Sequence, residues 1–169
     1  MKESVNQEMP AITHQILQRA TTTESQLHLH DKAAMMDKIQ RDNPVLFDSI
    51  AIQRELGHDP EYIQVLFDML LKIQLAFDLN NKSLPVISQQ SYLSELHKFS
   101  QQLSFGSGLS AEQHRQTIQQ LHDTHNEPEL LLWAQRTMTQ AGFADMGTIE
   151  SKQLTLAGIT MVNCVANAG

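Results

Sequence analysis

Residues 58–80 read HDPEYIQVLFDMLLKIQLAFDLN, and this stretch decides the fold of the whole chain. Its first residues are typical of a helix start. The side chain of Asp59 can accept a hydrogen bond from a free backbone amide, and Pro60 has no amide to satisfy and a backbone already suited to a first turn. Glu61 then places a negative charge at the positive end of the helix dipole. The sequence therefore predicts a helix that begins at Pro60.

Polar residues occur at regular intervals along this predicted helix, and they share one side of it. Because an α-helix turns about 100° per residue, the spacing i, i+3, i+7 and i+11 gathers them into one narrow stripe. The stripe consists of Glu61, Gln64, Asp68 and Lys72. Nearly every other residue as far as Leu79 is apolar, so other elements must cover the helix on most sides. We therefore predict an all-α fold, a single-domain bundle of about seven helices around a central hydrophobic helix at about residues 60–79.

Other helices are predicted from cap residues and from apolar periodicity. A helix over residues 10–20 is expected to end at the polar run 21–25, and a second helix is expected to start at about residue 24. Gly57 is expected to close a further helix that begins at Pro44. Residues 148–167 fit either a helix or a hairpin, and we favour the helix because no other segment supplies partner strands.

Length and charge limit the classes of function. A chain of 169 residues can bury a sizeable core, so we predict one helical domain over residues 1–169, with residues 1–9 disordered. The net charge is −7, and the 12 Lys and Arg residues are scattered. Phosphate groups need clustered cations, so this acidic composition argues against nucleic acid and against an anionic membrane surface as partners.

We expect neither a targeting segment nor a membrane-spanning segment from this sequence. Its first residues contain no apolar stretch of the kind found in signal peptides, and charges interrupt the central helix before an uncharged run could span a bilayer. Cys164 is the only cysteine, so no intrachain disulfide can form. We expect a soluble, cytoplasmic protein with a buried, inert thiol.

A metal site is the most specific chemistry that the sequence offers. His122 and His125 lie at i and i+3, so they share one side of a predicted helix, and Glu129 follows nearby. His114 lies on the same predicted face as His125, although about 16 Å of helix separates the two residues. These four residues are candidate ligands for zinc or iron.

No catalytic constellation is recognisable, so the sequence favours a non-enzymatic function. Our main expectation is a helical protein-interaction or regulatory module that binds a protein partner or itself as a homodimer. The small residues of the tail, if exposed in the monomer, would suit a symmetric interface. Two alternatives stay open at this point. One is the metal-binding bundle, which could be an enzyme, and the other is a binder of an apolar small molecule in a cavity lined by Phe67, Phe77 and Phe99.

Overall fold

The computed structural model describes residues 12–106, 111–143 and 148–168, although not the side chains of 103–106, 111–115, 117 and 118. Eight α-helices and no strand occupy the described residues, so the predicted all-α fold is confirmed. Residues 1–9, which we predicted to be disordered, lie outside the described residues. In chain order the helices are α1 (His14–Gln26), α2 (Leu29–Asp42), α3 (Pro44–Glu55), α4 (Pro60–Leu79), α5 (Gln89–Gly106), α6 (Ala111–Thr124), α7 (Pro128–Gln140) and α8 (Ile149–Asn167).

Helix α4 is the predicted central helix, and it has the predicted bounds. Oδ1 of Asp59 accepts a hydrogen bond from the Glu61 amide at 2.9 Å, as its place before Pro60 led us to expect. The helix contacts α1, α2, α3 and α8, which cover it on most sides. Its buried residues are Ile63, Leu66, Met69, Leu70, Leu71, Ile73, Gln74, Leu75, Ala76 and Phe77. The apolar core of the protein is therefore built around this helix.

Helix α1 differs from the sequence prediction. The polar run 21–25 does not interrupt it, and the helix continues to Gln26. The hydroxyl of Thr21 donates to the Leu17 carbonyl at 2.9 Å, and the hydroxyl of Ser25 donates to the Thr22 carbonyl at 2.7 Å. The helix itself thus provides acceptors for these hydroxyls, which removes the reason for the backbone to leave the helical path.

The tail, for which the sequence allowed either a helix or a hairpin, forms helix α8. Residues 149–167 form one helix, so the hairpin alternative is wrong. Oγ1 of Thr148 accepts a hydrogen bond from the Ser151 amide at 3.1 Å and caps the first turn. Small residues then allow close helix packing: a Cβ atom added to Gly158 would meet Sδ of Met138 at 2.5 Å. Because α8 contacts α3, α4, α5 and α7, it acts as a second central element.

The turn between α3 and α4 holds α3 against the start of α8. Gly57 has a φ of +79°, a left-handed conformation that glycine adopts without steric cost, so its predicted role is confirmed. Oε1 of Glu150 in α8 accepts a hydrogen bond from the Asp59 amide at 2.7 Å. The side chain of His58, which is buried, lies 3.8 Å from the same carboxylate oxygen. These contacts anchor the C-terminal end of α3.

Asn43 anchors the other end of α3 to the segment that precedes α5. Its side-chain amide donates to the Pro85 carbonyl at 2.8 Å, and its side-chain oxygen accepts from the Ile87 amide at 2.9 Å. The residue is buried, so both bonds are shielded from water. Helices α3 and α5 both contact α8, and the positions of these three helices define the site described next.

Candidate functional site

His125, a predicted metal ligand, uses both ring nitrogens within the protein. Nδ1 accepts a hydrogen bond from the Glu127 amide at 3.0 Å, and Nε2 lies 2.8 Å from Oδ1 of Asn163 in α8. Because Nδ1 acts as an acceptor, the proton of the neutral ring sits on Nε2 and is donated to Asn163. A metal ion at either nitrogen would replace one of these hydrogen bonds.

The other predicted ligands do not complete a site around His125 in the described part of the chain. His122 is half-buried, and its Nδ1 lies 3.6 Å from a carboxylate oxygen of Asp123, while Glu129 is exposed. The side chain of His114 lies outside the described residues. Among those that are described, no three His, Cys, Asp or Glu side chains are grouped so that they could hold a metal ion. Zinc or iron binding by these residues therefore stays a prediction.

The small residues of the tail lie inside the molecule. Of the small residues Gly158, Cys164 and Ala166, the first two are buried in α8 and the third is half-buried, so the condition under which this stretch would form a dimer interface is not met. Burial raises the pKa of the Cys164 thiol from 9.0 to about 12, and the nearby Glu95 carboxylate adds to the shift. The thiol is thus protonated at neutral pH, as expected of an inert cysteine. Self-association through another surface stays a prediction.

Phe67, Phe77 and Phe99, the three residues predicted to line a ligand cavity, do not line the groove between α3 and α5. Phe67 is half-buried, and its ring centroid lies 5.2 Å from that of Phe47. Phe77 and Phe99 are buried in the core. A small-molecule cavity at these rings is therefore an untested prediction.

An open groove lies between α3 and α5, with α8 as its floor. We refer to it as the α3–α5 groove. Its volume is about 550 Å³, within the range of about 300–1,000 Å³ found for ligand sites in proteins. Its lining residues come from these three helices and are mostly apolar: Val45, Asp48, Ser49, Ile52, Gln53, Leu56, Gln89, Tyr92, Leu93, Leu96, Gln153, Leu156 and Ala157.

The α3 wall of the groove exists because this helix has two apolar faces. One face, which includes Leu46 and Ile50, is buried in the core. The other carries Val45, Ile52 and Leu56 at i, i+7 and i+11, and it lines the groove over about 16 Å at 1.5 Å of rise per residue. The groove therefore runs along about three turns of α3.

Three of the six large apolar side chains that are exposed in the described residues line this groove. Ile52, Leu56 and Leu93 are 49%, 54% and 52% exposed, and all three line it. The other large apolar side chains that are exposed in the described residues, Leu29, Val86 and Ile149, are not part of the lining. Single exposed apolar residues are common on protein surfaces, whereas a contiguous group along a groove indicates a binding surface.

Six of the thirteen lining residues carry polar side-chain groups: Asp48, Ser49, Gln53, Gln89, Tyr92 and Gln153. Burial of the Tyr92 ring raises its pKa above 10.0, and the neighbouring Ser49 side chain opposes the rise. The Ser49 hydroxyl donates to the Leu46 carbonyl at 2.6 Å. The side-chain amide of Gln53 donates to the Ser49 carbonyl at 3.3 Å. Oε1 of Gln53 is buried and has no hydrogen-bond partner within the described residues. Among the lining residues of the described chain, Asp48 is the only Asp or Glu.

Comparison with known proteins does not narrow the function of this groove. No protein family, curated protein or solved structure matches the chain. Within the described residues, none of the helices combines the length and apolar character that crossing a bilayer requires. The function must therefore be argued from the geometry of the site.

Sequence reasoning did not find the groove, although α3 contained a signal. Val45, Ile52 and Leu56 lie about 120° around the helix from the face of Leu46 and Ile50, given about 100° per residue. A helix with two separate apolar faces needs two layers of partners. The sequence does not show which of the two faces other helices cover, because the residues of both faces are apolar enough for a core.

Proposed function

We propose that this protein is a non-enzymatic interaction module that receives the apolar face of an amphipathic helix from a protein partner in the α3–α5 groove. The proposal rests on a row of half-exposed apolar side chains along the two walls of the α3–α5 groove. These side chains are Ile52, Leu56 and Leu93. Two helices that lie apart on a third leave a space of the shape that one more helix would fill. Binding of a helix in such a groove is a recurring mode of peptide recognition.

The dimensions of the groove support a helical occupant. Its α3 wall extends over about 16 Å, which corresponds to about three turns of a bound helix. Such a helix presents apolar anchors at i, i+4 and i+7 on one face. Covering a half-exposed Leu or Ile contributes about 1 kcal/mol for each side chain, given about 1.5–3 kcal/mol for full burial. About 3 kcal/mol from three such side chains does not offset the cost of association alone, so the apolar anchors that the bound helix buries at the same time must supply the rest.

A small apolar molecule is a less suitable occupant for this groove. Pockets for small molecules commonly enclose about 70–90% of the ligand surface. Here the walls are about half exposed at Ile52, Leu56 and Leu93, so a small ligand would keep a large part of its surface in water. An extended apolar surface that is open along one side suits a larger partner.

Selection from a peptide library tests the proposal directly. The library consists of helical peptides of about 14 residues with apolar residues at i, i+4 and i+7 and varied residues elsewhere. The wild-type protein should enrich a set of these peptides, and Ile52→Glu combined with Leu93→Glu should weaken their binding at least 10-fold. The physical reason is that buried, unpaired carboxylates are strongly unfavourable in an apolar interface. Calorimetry of individual selected peptides measures the change.

The matched control is Leu29→Glu combined with Val86→Glu. These side chains are 83% and 71% exposed and do not line the groove, so the control adds the same charge to the same kind of residue elsewhere. It should bind the selected peptides as the wild type does. Circular dichroism confirms that both double variants are folded. Enrichment of no peptide, or equal loss of binding in both double variants, would overturn the proposal.

A further inference from the structure

We infer that the helix bound in the α3–α5 groove is basic, with two cationic residues about two turns apart beside its apolar face. This inference rests on the proposed function and adds the chemistry of the partner. It comes from the distribution of charge around the groove. The lining contains Asp48, which is exposed and carries no recorded ion pair in the described residues.

A second carboxylate lies on the same edge of α3. Glu55 follows Asp48 by seven residues, which places the two about 20° apart around the helix and about 10 Å apart along it. Both residues are exposed. Asp48 lines the groove and Glu55 lies just outside the lining, so this edge of α3 carries two negative charges beside the groove. Two Lys or Arg residues at i and i+7 of the bound helix match this spacing.

Cations of the protein itself do not neutralise this edge. Arg54 lies two residues beyond Ile52, about 200° around α3, so it faces away from the groove. Lys152 of α8 is exposed, and within the described residues it forms no ion pair with Asp48 or Glu55. The two carboxylates are therefore free to pair with cations of a bound partner, which would give the interface complementary charge.

The same charges argue against a second copy of this chain as the occupant. Each copy has a net charge of −7, and two copies that meet through their grooves would bring the same acidic edges together. Like charges across an interface are unfavourable, whereas opposite charges improve specificity and the rate of association. A basic helix removes this conflict, and its approach is also favoured by the overall charge of the protein.

Matched peptides test the inference. A peptide from the library selection is made in two versions with the same apolar face, one with Lys and one with Glu at the i and i+7 flanking positions. Because an exposed ion pair strengthens binding by about 1.4- to 5-fold, we expect two pairs to favour the Lys version by about 2- to 25-fold at low salt, and repulsion of the Glu version should widen this preference. The preference should shrink at 0.5 M salt, at which exposed charges are screened.

Charge-reversed proteins separate a local effect from a general one. Asp48→Lys combined with Glu55→Lys should reverse the preference, so that the Glu version binds more tightly. The control, Asp31→Lys combined with Asp37→Lys, changes the net charge equally at exposed residues of α2. It should keep most of the preference for Lys. Equal reversal in both proteins would overturn the inference, because the effect would then come from net charge alone.

The outcomes distinguish this inference from the proposed function. The two peptides could bind the wild type with equal affinity and lose binding to the Ile52→Glu and Leu93→Glu protein. That result would overturn the inference that the partner is basic and would leave the proposal of helix binding intact. Binding of neither peptide overturns both. Light scattering at micromolar concentration tests the remaining occupant. A dimer that is lost in that groove variant but kept in the Leu29→Glu and Val86→Glu control would show that a second copy fills the groove.

Discussion

The two sides of α8 have similar apolar side chains but very different surroundings. On the closed side, Gly158 packs so tightly that an added Cβ atom would lie 3.3 Å from Leu66 and 2.5 Å from Met138. On the open side, Leu156 and Ala157 form the floor of the α3–α5 groove, whose walls are about half exposed. The two sides differ because another helix packs against the closed side and none of the described helices covers the open side. The exposure of an apolar side chain therefore depends here on the arrangement of the helices rather than on the type of side chain.

The largest expected effect compares one leucine from each side. Leu66 is fully buried, so Leu66→Ala removes buried apolar surface and leaves a cavity, which should lower the free energy of unfolding by about 3–5 kcal/mol. Leu56 is 54% exposed, so Leu56→Ala should cost less than about 1 kcal/mol. Urea denaturation measures both. Similar losses in the two variants would mean that the groove wall is part of the closed core.

A smaller effect is expected where α8 meets the segment between α6 and α7. His125→Ala removes the hydrogen-bond partner of both Asn163 and the Glu127 amide, and Asn163 is buried. An unsatisfied buried polar group costs about 1–3 kcal/mol, so the free energy of unfolding should fall by that amount.

His122→Ala is the control for this substitution. His122 is half-buried and has a single recorded charged neighbour, Asp123, at 3.6 Å in the described part of the chain. Its loss should change the free energy of unfolding by less than about 0.5 kcal/mol. Thermal denaturation of both variants gives the comparison. A larger loss for His122→Ala than for His125→Ala would contradict the hydrogen-bond pattern at α8.

The smallest expected effect, when it is measured over a single pH unit, is a loss of stability at alkaline pH. Burial raises the pKa of Cys164 from 9.0 to about 12, so above about pH 9 the unfolded chain loses the thiol proton while the folded chain keeps it. The free energy of unfolding should then fall as pH rises from about 9 towards 12, by at most about 1.4 kcal/mol per pH unit for one proton. Cys164→Ala should make this slope shallower between pH 9 and 10.

Tyr92 provides the matching test on the open side. Burial also raises its pKa above 10.0, so Tyr92→Phe should reduce the slope only above about pH 10. Denaturation curves at several pH values measure both slopes. If Cys164→Ala left the slope unchanged, another group would have to cause the alkaline loss of stability.

Local chemistry explains which helices the sequence predicted correctly. The bounds of α4 were predicted because Asp59 and Pro60 act within the first turn, and the tail helix was favoured because no partner strands were available. The predicted end of α1 was wrong because a run of Thr and Ser residues is compatible with a helix when its carbonyls accept their hydroxyl hydrogens. That choice depends on the whole helix rather than on the residue types in the run.

The candidate site could be predicted only in part. The two apolar faces of α3 are visible in the sequence, so an extra layer beside this helix could have been expected. Most of the tail residues proposed for a dimer interface are buried instead, because α4 and α7 reach Gly158 from parts of the chain far away in sequence. His125 was noticed as a metal ligand, but its contact with Asn163 joins residues 38 positions apart and has no local signal.

The sequence by itself determined that residues 60–79 form a helix that other helices must surround. Cap hydrogen bonds and the periodicity of apolar side chains act within a few turns, so they can be recognised without knowing what lies opposite. Only the tertiary structure decided that α8 is enclosed on one side and that the second face of α3 stays uncovered. Which apolar face is covered depends on contacts between distant segments, and these are fixed when all the helices pack at once.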